Sequence, residues 1–326
     1  MKPEINICFE ENLNRKQFKI KAKQKIENYP VFYDKEDIKG KVILTINGKD
    51  FEHKGIKIVL KGIIIEKKNI IQSKTKEFLY SEYELEKPGI FKEENIIYEF
   101  EFKEVKKKYE SYRGENIIVK YFVTFIIETK LRSMKYEKEF IVLNPIKENE
   151  LREKRKNLRI LIEDEQNKFI CEIPSQHIDM KGVIPGVISV EKLTSKISSI
   201  MLQIVKRETI KGLDKEKQLN PKTISSYEVL DGDLIEKEKI PIRIFLSPYN
   251  LTPSYSNIED IYFVNYYLTV VITDSEGKKN SSLKEIILYR VIPEQKIEDK
   301  YTNFITANMN DELNKSERFF DESENK

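Results

Sequence analysis

The side chains that most often carry catalysis or bind metals are scarce in this chain and far apart. Its 326 residues include two histidines, His53 and His177, and two cysteines, Cys8 and Cys171. A zinc site needs three or four nitrogen, sulfur or carboxylate ligands in a recognisable spacing, and neither histidine has such neighbours. We therefore interpret both histidines as structural or solvent-facing, and we predict that the protein binds no metal.

Motifs for phosphate binding and nucleophilic catalysis are also missing. The stretch GKVILTINGKD at 40–50 contains two Gly-Lys pairs, but not the spacing of a P-loop. The chain has no G-x-S-x-G nucleophile elbow. The triplet Asp231-Gly232-Asp233 lacks the downstream Gly and Glu of an EF-hand loop. Since 55 residues are acidic, a pair of carboxylates alone carries no specificity. We predict a non-enzymatic protein with no cofactor.

Charge is abundant but balanced between the two signs. Charged residues make up 35% of the chain, against about 25% in a typical domain. Lysine and arginine number 58 and the acidic residues 55, which gives a net charge of +3. A nucleic-acid-binding protein concentrates its basic residues on one face or in one run. No such run stands out here, and we expect no nucleic-acid partner.

Three features predict a cytoplasmic protein. The N-terminal stretch MKPEINICFEEN lacks the apolar segment of a signal peptide. No run of about 18 apolar residues is present that would span a membrane as a helix. The two cysteines are too few and too far apart for a disulfide framework, which fits a reducing compartment.

Apolar and polar residues alternate in many short stretches, which is typical of half-buried β-strands. KIPIRIFL at 239–246 places its isoleucines on one face and Pro241, Arg243 and Phe245 on the other. Similar alternation occurs at 41–49, where Asn47-Gly48 is a hairpin signal, and at 116–127, 260–277 and 282–291. Helical periodicity is absent between these stretches. The pattern predicts an all-β fold of antiparallel sandwiches rather than a βαβ fold.

The best candidate boundary between two domains is NPIKENELREKRKN at 144–157, where Pro145 ends a strand pattern and a charged run follows. We predict an N-terminal β-sandwich at 1–147, a linker at 148–157 and a C-terminal β-sandwich at 158–293. The alternative is a short exposed helix or loop inside one domain. Residues 294–326 are polar and are predicted to be disordered, with Phe319-Phe320 as a candidate binding motif.

An apolar pair, Val229-Leu230, stands directly before the turn signal Asp231-Gly232, and Leu234 follows it. Turns lie at the protein surface, where two neighbouring apolar side chains are unexpected. Either the pair packs under its own loop, or a partner protein covers it. The residues alone leave both alternatives open, and without further information they favour the first.

Several stretches, taken together, resemble the vacuolar protein sorting-associated protein 26 family, the arrestin-like subunits of retromer. They include YPVFYDKEDIKGKVIL at 29–44, KKYESYRGENIIVKYFV at 107–123 and YEVLDGDLIEKEKIPIRIFLSPYNLTPS at 227–254. The resemblance covers most of residues 1–290. It implies two arrestin-like antiparallel β-sandwich domains in tandem. It also implies a non-enzymatic retromer subunit that is peripheral on endosomal membranes and reaches them mainly indirectly.

The resemblance further implies partners and the residues that contact them. The partners are the α-solenoid subunit of retromer, sorting nexins and cargo tail peptides, in retrieval from endosomes to the Golgi or the cell surface. The solenoid subunit is expected to contact Val229, Leu230, Asp231 and Leu234. The strand that carries Leu158, Ile160 and Ile162 is expected to pair with cargo peptides through its edge. The alternative for this second set is an ordinary core strand.

Two other functions compete with this interpretation. The first is an arrestin-type or retriever-type adaptor that binds cargo outside retromer. Many arrestin-type adaptors carry PPxY motifs, and their absence from this sequence favours retromer. The second is direct binding to a membrane surface through Lys103, Lys106, Lys107 and Lys108. Glu104 and Glu110 dilute that positive charge, so we rank this function last.

Overall fold

The computed structural model describes ten segments of the chain. They are residues 3–10, 15–22, 25–46, 51–67, 73–92, 94–211, 216–218, 221–230, 233–259 and 262–292. The predicted tail at 294–326 lies outside the described residues, together with Phe319-Phe320. So do Asp231 and Gly232 of the turn.

The first half of the chain is built of strands. Their bounds are β1 (Glu4–Phe9), β2 (Gln17–Ala22), β3 (Lys25–Tyr33), β4 (Ile38–Thr45), β5 (Phe51–His53), β6 (Gly55–Lys67), β7 (Ser73–Glu86), β8 (Gly89–Phe91), β9 (Asn95–Phe102), β10 (Tyr112–Arg113), β11 (Ile117–Glu128), β12 (Ser133–Leu143) and β13 (Ile146–Lys147).

The second half begins with one short helix and continues in strands. Their bounds are α1 (Glu148–Glu153), β14 (Leu158–Glu163), β15 (Asn167–Ile173), β16 (His177–Asp179), β17 (Val183–Leu193), β18 (Ile197–Lys211), β19 (Glu216–Gln218), β20 (Lys222–Glu228), β21 (Lys239–Phe245), β22 (Tyr255–Ile258), β23 (Tyr262–Asp274), β24 (Lys279–Tyr289) and β25 (Val291–Ile292).

Two facing sheets enclose the core of the first half. One has the order β1-β4-β9, and the other has the order β2-β3-β12-β11-β6-β7 with β10 paired to β11. Aromatic side chains join them, because the ring of Phe9 on β1 lies 5.6 Å from that of Phe140 on β12. The ring of Tyr98 on β9 lies 5.7 Å from that of Phe125 on β11. The alternation read from 41–49 and 116–127 therefore corresponds to inward-facing residues of a sandwich.

The second half repeats this arrangement with different connections. One sheet has the order β14-β15-β17-β21, and the other has the order β16-β24-β23-β18-β19 with β20 on β18 and β22 on β23. Residues that face inward from both sheets are fully buried, among them Ile160, Phe169, Leu202 and Leu268. The predicted faces of 239–246 are also correct, since Ile242 and Ile244 are buried and Phe245 is exposed. An all-β fold with its sheets in two halves is confirmed.

The segment between the halves is short and solvated. Helix α1 buries none of its residues, and its Arg152 pairs with Glu148 on the same face. Just before it, β13 pairs in parallel with β25, where Ile146 lies opposite Val291. In the described residues this is the ladder that joins the first half to the second. The helix is too short to span a membrane, and no other described helix has the length or apolar character to do so.

Candidate partner-binding surfaces

The apolar pair Val229-Leu230 lies at the end of β20, where the chain leaves the sheet. The backbone N–H of Val229 donates a 2.9 Å hydrogen bond to the carbonyl of Ile200, which extends the pairing of β20 with β18. Both side chains are half-buried and pack against the core of the second half. The pair therefore combines the two alternatives drawn from the sequence: it packs under its own loop, yet part of its surface remains open to a partner.

The most exposed apolar side chain of this loop is Ile235, which is 73% exposed. Leu234 beside it is half-buried and packs against the same core as Val229. The Ile235 N–H donates a 3.1 Å hydrogen bond to the carboxylate of Glu238. Ile235 was not among the predicted contact residues, although it stands out in the sequence as an apolar residue in a polar stretch.

Both limbs of the 229–238 loop are anchored to the sheets. The returning limb is fixed because the N–H of Lys237 donates to the carbonyl of Val190 (2.8 Å), and the N–H of Val190 donates to the carbonyl of Glu238 (2.9 Å). An exposed ion pair of 2.9 Å joins Lys196 to Asp233. An apolar tip on anchored limbs loses little conformational entropy when it binds, which suits it to an interface hot spot.

Strand β14 forms one end of its four-stranded sheet. It pairs with β15 through the register Ile160↔Cys171, and no strand lies on its other edge in the described residues. Leu158, Ile160 and Ile162 are buried and belong to the core. A cargo peptide that adds to this edge would use the backbone groups of β14, while Leu161, 46% exposed on the outer face, is available to its side chains.

The stretch YESYRGEN at 109–116 contacts the second half of the chain. Its Tyr112 hydroxyl donates a 2.5 Å hydrogen bond to the buried carboxylate of Glu208 on β18. That carboxylate also accepts from the backbone N–H of Glu115 (3.2 Å), and from the backbone N–H (2.9 Å) and side-chain amide (3.0 Å) of Asn116. Gly114 is required there, because a Cβ atom would lie 2.0 Å from the Glu208 oxygen.

Glu208 is held in its charged form. Burial raises the pKa of this carboxyl, but hydrogen bonds from Tyr112 and Asn116, with the ammonium of Lys206, outweigh burial and lower the pKa below its ordinary value. The contact between the halves therefore contains a buried anion with several donors aimed at it.

Two more carboxylates join the halves. Glu110 accepts from Nε (2.9 Å) and Nη2 (2.6 Å) of Arg290 at the end of β24. Glu259 accepts a 2.8 Å hydrogen bond from the hydroxyl of Tyr109 and lies 3.4 Å from the Nζ of Lys108. No local sequence pattern predicts this interface, because the two partners of each contact lie more than ninety residues apart.

The lysines considered for direct membrane binding are partly engaged elsewhere. Lys107 is fully buried, and its Nζ donates to the carbonyls of Glu36 (2.5 Å) and Val105 (3.0 Å). Lys108 is exposed but lies beside Glu259 at the contact between the halves. The cluster is therefore weaker as a lipid-binding surface than its sequence suggests.

The two histidines lie in separate structural contexts. His53 is buried and stacks on Phe91 with ring centroids 4.4 Å apart. His177 stacks on Tyr289, with its Nδ1 3.2 Å from the hydroxyl, and burial together with Lys154 lowers its pKa. The described residues contain no group of three His, Cys, Asp or Glu side chains placed to hold a metal ion.

Two β-sheet halves that meet at hydrogen-bonded carboxylates, and that present an anchored apolar loop and, among the described residues, an open strand edge, define a protein-binding scaffold. The chain belongs to the Vps26 family: the family model described as vacuolar protein sorting-associated protein 26 matches residues 1–277. Membership implies a retromer subunit that acts in endosomal protein transport and is not an enzyme. The predicted family and the prediction of a non-enzymatic protein are confirmed.

Curated relatives match nearly the whole described chain. A vacuolar protein sorting-associated protein 26 from Plasmodium falciparum (isolate 3D7) is 33% identical over 290 residues, which cover 88% of this chain and 95% of that protein. Vacuolar protein sorting-associated protein 26B from Homo sapiens is also 33% identical over 290 residues, covering 88% of this chain and 84% of the relative. The 26B protein from Mus musculus matches to the same extent.

Proposed function

We propose that this chain links the α-solenoid subunit of retromer to sorting nexins and cargo tail peptides, in retrieval from endosomes to the Golgi or to the cell surface. Family membership supports the place in retromer. The protein reaches endosomal membranes through these partners and works on their cytoplasmic side.

The observation that carries the contact with the solenoid subunit is the anchored loop at 229–238. In this loop Ile235 is largely exposed to solvent, while Val229, Leu230 and Leu234 are half-buried. Complete burial of one such side chain contributes about 1.5–3 kcal/mol. We assign the solenoid contact to these four residues, with Asp231 of the adjoining turn.

Calorimetry with the purified solenoid subunit tests this assignment. Ile235→Asp is expected to weaken binding by a hundredfold or more, because the complex would bury an unpaired carboxylate at a cost of several kcal/mol. Ile90→Asp is the matched control, since Ile90 is 53% exposed on β8 in the first half. It is expected to leave the affinity unchanged.

If both Ile235→Asp and the double variant Val229→Asp, Leu230→Asn bind the solenoid subunit as tightly as the unmodified chain does, this loop is not the contact. A chain that binds cargo peptides but no solenoid subunit would favour the arrestin-type or retriever-type adaptor instead.

We also propose that β14 accepts cargo peptides by strand addition, in concert with a sorting nexin. The open edge of β14 in the described residues supports this site. Leu161→Asp is expected to lower the affinity for a cargo peptide with apolar side chains at least tenfold. Fluorescence anisotropy in the presence of the nexin measures this affinity. Val183→Asp is the control, because Val183 is similarly exposed on β17, which has partners on both sides. Identical losses in both variants would argue against addition at β14.

Residues 1–147 and 158–293 are proposed as two domains joined by a linker at 148–157. Apart from the β13-β25 ladder, each described sheet lies wholly on one side of α1, and Lys154, Arg155 and Lys156 are exposed. Limited trypsin digestion should first cut among these three residues, and the two fragments should still co-elute through the buried contacts around Glu208. First cuts inside the sheets would contradict the boundary.

A further inference from the structure

A groove runs between the linker helix α1 and the second half of the chain. Its volume is about 700 Å³, and apolar side chains line most of it: Leu151, Pro174, Ile178, Ile184, Pro185 and Val291. This size lies within the range of sites that bury small molecules or a few side chains of a peptide. Neither the loop at 229–238 nor the outer face of β14 contributes to it.

The charged rim of the groove is more basic than acidic. Arg152, Arg155 and Lys181 lie on it, together with Glu148 and Asp179. Glu148 is paired with Arg152, and one Asp179 carboxylate oxygen accepts a 3.0 Å hydrogen bond from the backbone N–H of Lys181. The rim therefore favours an occupant that carries acidic residues beside its apolar ones.

The chain itself supplies such a segment and leaves the fold at this groove. Val291 lines the groove, and β25 ends at the next residue, Ile292. In the sequence SERFFDESENK at 316–326, Glu317 and Arg318 precede the pair Phe319-Phe320, and Asp321 and Glu322 follow it. Phe319 follows Ile292 by 27 residues. A random-coil chain of 27 residues has an average end-to-end distance of roughly 30 Å, a reach that includes the groove.

We propose that this groove is a binding site for an aromatic, acidic peptide and that the chain's own segment 317–322 occupies it. The Phe319 and Phe320 rings lie against the apolar wall that Leu151 helps to form, and the neighbouring carboxylates lie near Arg155. Tethering gives the segment an effective concentration in the millimolar range, so even modest intrinsic affinity keeps the groove mostly filled.

Two reagents test whether the chain's own segment fills the groove. The first is a variant with Phe319→Ser and Phe320→Ser, called the silenced chain, and the second is a fluorescein-labelled peptide of residues 312–326. Fluorescence anisotropy should show that the silenced chain binds the peptide. The unmodified chain should bind it at least fivefold more weakly, because its own segment competes for the groove.

Groove variants in the silenced chain test the location. Leu151→Asp is expected to lower the affinity for the peptide tenfold or more. The melting temperature should not change, because α1 buries none of its residues. Ile90→Asp, on β8 of the first half, is the matched control and should leave binding unchanged. Arg155→Glu should weaken binding and reduce its dependence on salt, whereas Arg159→Glu, 64% exposed on β14, should do neither.

Three results would overturn the proposal. The first is no binding of the peptide to the silenced chain. The second is equal affinity for the silenced and unmodified chains, which would show that the chain's own segment does not fill the groove. The third is unchanged binding in Leu151→Asp. Sedimentation of the unmodified chain as a dimer that Phe319→Ser and Phe320→Ser dissolve would instead assign the occupant to a second copy.

Discussion

The hydroxyl of Tyr112 donates a 2.5 Å hydrogen bond to the carboxylate of Glu208, and this contact joins the two halves of the molecule. Both side chains are buried, and Glu208 accepts further hydrogen bonds from the Glu115-Asn116 backbone. Residues that look like a sequence signature, YRGEN, thus form a complete set of donors around one anion. In this structure the stretch connects the two halves through Glu208.

Glu208→Ala is expected to destabilise the chain by about 3–5 kcal/mol, because it leaves buried donors and the Lys206 cation without their acceptor. Tyr112→Phe removes one hydrogen bond to a charged group and should cost about 1.5–3 kcal/mol. Urea unfolding followed by circular dichroism measures both changes. The control is Glu172→Ala, since the Glu172 carboxylate is largely exposed beside Arg159. If all three variants unfold at the same urea concentration, Glu208 does not stabilise the chain.

The contribution of Glu208 to the free energy of unfolding should fall as the pH is lowered. Its folded pKa is lowered from the ordinary value of 4.5, so the unfolded state takes up a proton first as the pH falls. Its contribution is therefore fully present above about pH 5 and is lost as the pH falls through the folded pKa. The difference in unfolding free energy between wild type and Glu208→Gln should shrink from pH 6 to pH 3. A constant difference would contradict a carboxylate that is charged in the folded state.

The buried ammonium of Lys107 should change stability in the same direction as Glu208, but in a window at higher pH. Burial lowers the pKa of Lys107 from 10.5 to about 8, although Glu36 and Asp34 oppose this shift. The unfolded chain therefore holds the proton more tightly between about pH 8 and pH 10.5, and Lys107 adds stability as the pH rises through that window. Lys107→Met should remove this slope in the unfolding free energy. Lys106→Met is the control, because Lys106 is exposed, and it should retain the slope.

Variants in the 229–238 loop should differ in their effect on folding stability. Val229→Asp with Leu230→Asn is expected to destabilise the chain by about 2 kcal/mol, because both side chains pack against the core. Ile235→Asp changes a largely exposed side chain and should shift stability by under about 0.5 kcal/mol. Thermal melts of both variants measure the difference. Equal melting temperatures would mean that the pair contributes no more to folding than Ile235 does.

Strand alternation was readable from the sequence because it depends on neighbours two residues apart. At 239–246 the sequence placed the isoleucines inward and Phe245 outward, and the structure has both. Val229 was harder, because its burial depends on pairing with Ile200 on another strand. The sequence also identified Leu158, Ile160 and Ile162 as one face of a strand, but not that the outer face carries Leu161 at an open edge.

The contact between the halves was beyond sequence reasoning for a physical reason. Nothing in the sequence distinguishes Gly114 from the other glycines, and Glu208 is one of 55 acidic residues. Their roles depend on the fold, which brings Glu208 on β18 so close to Gly114 that a Cβ atom there would clash with its carboxylate. Lys107 presented the same difficulty, because nothing in a run of three lysines shows which one the fold encloses.

The parallel pairing of Ile146 with Val291 places the entrance and the exit of the second half side by side. Residues 147–290 therefore begin and end at the same ladder, where β13 pairs with β25. This segment can be exchanged between homologous chains at two junctions, both in the β13-β25 ladder and outside the larger sheets. Chimeras joined at this ladder would transplant the 229–238 loop and the β14 edge together, in their native orientation, onto the first half of a relative.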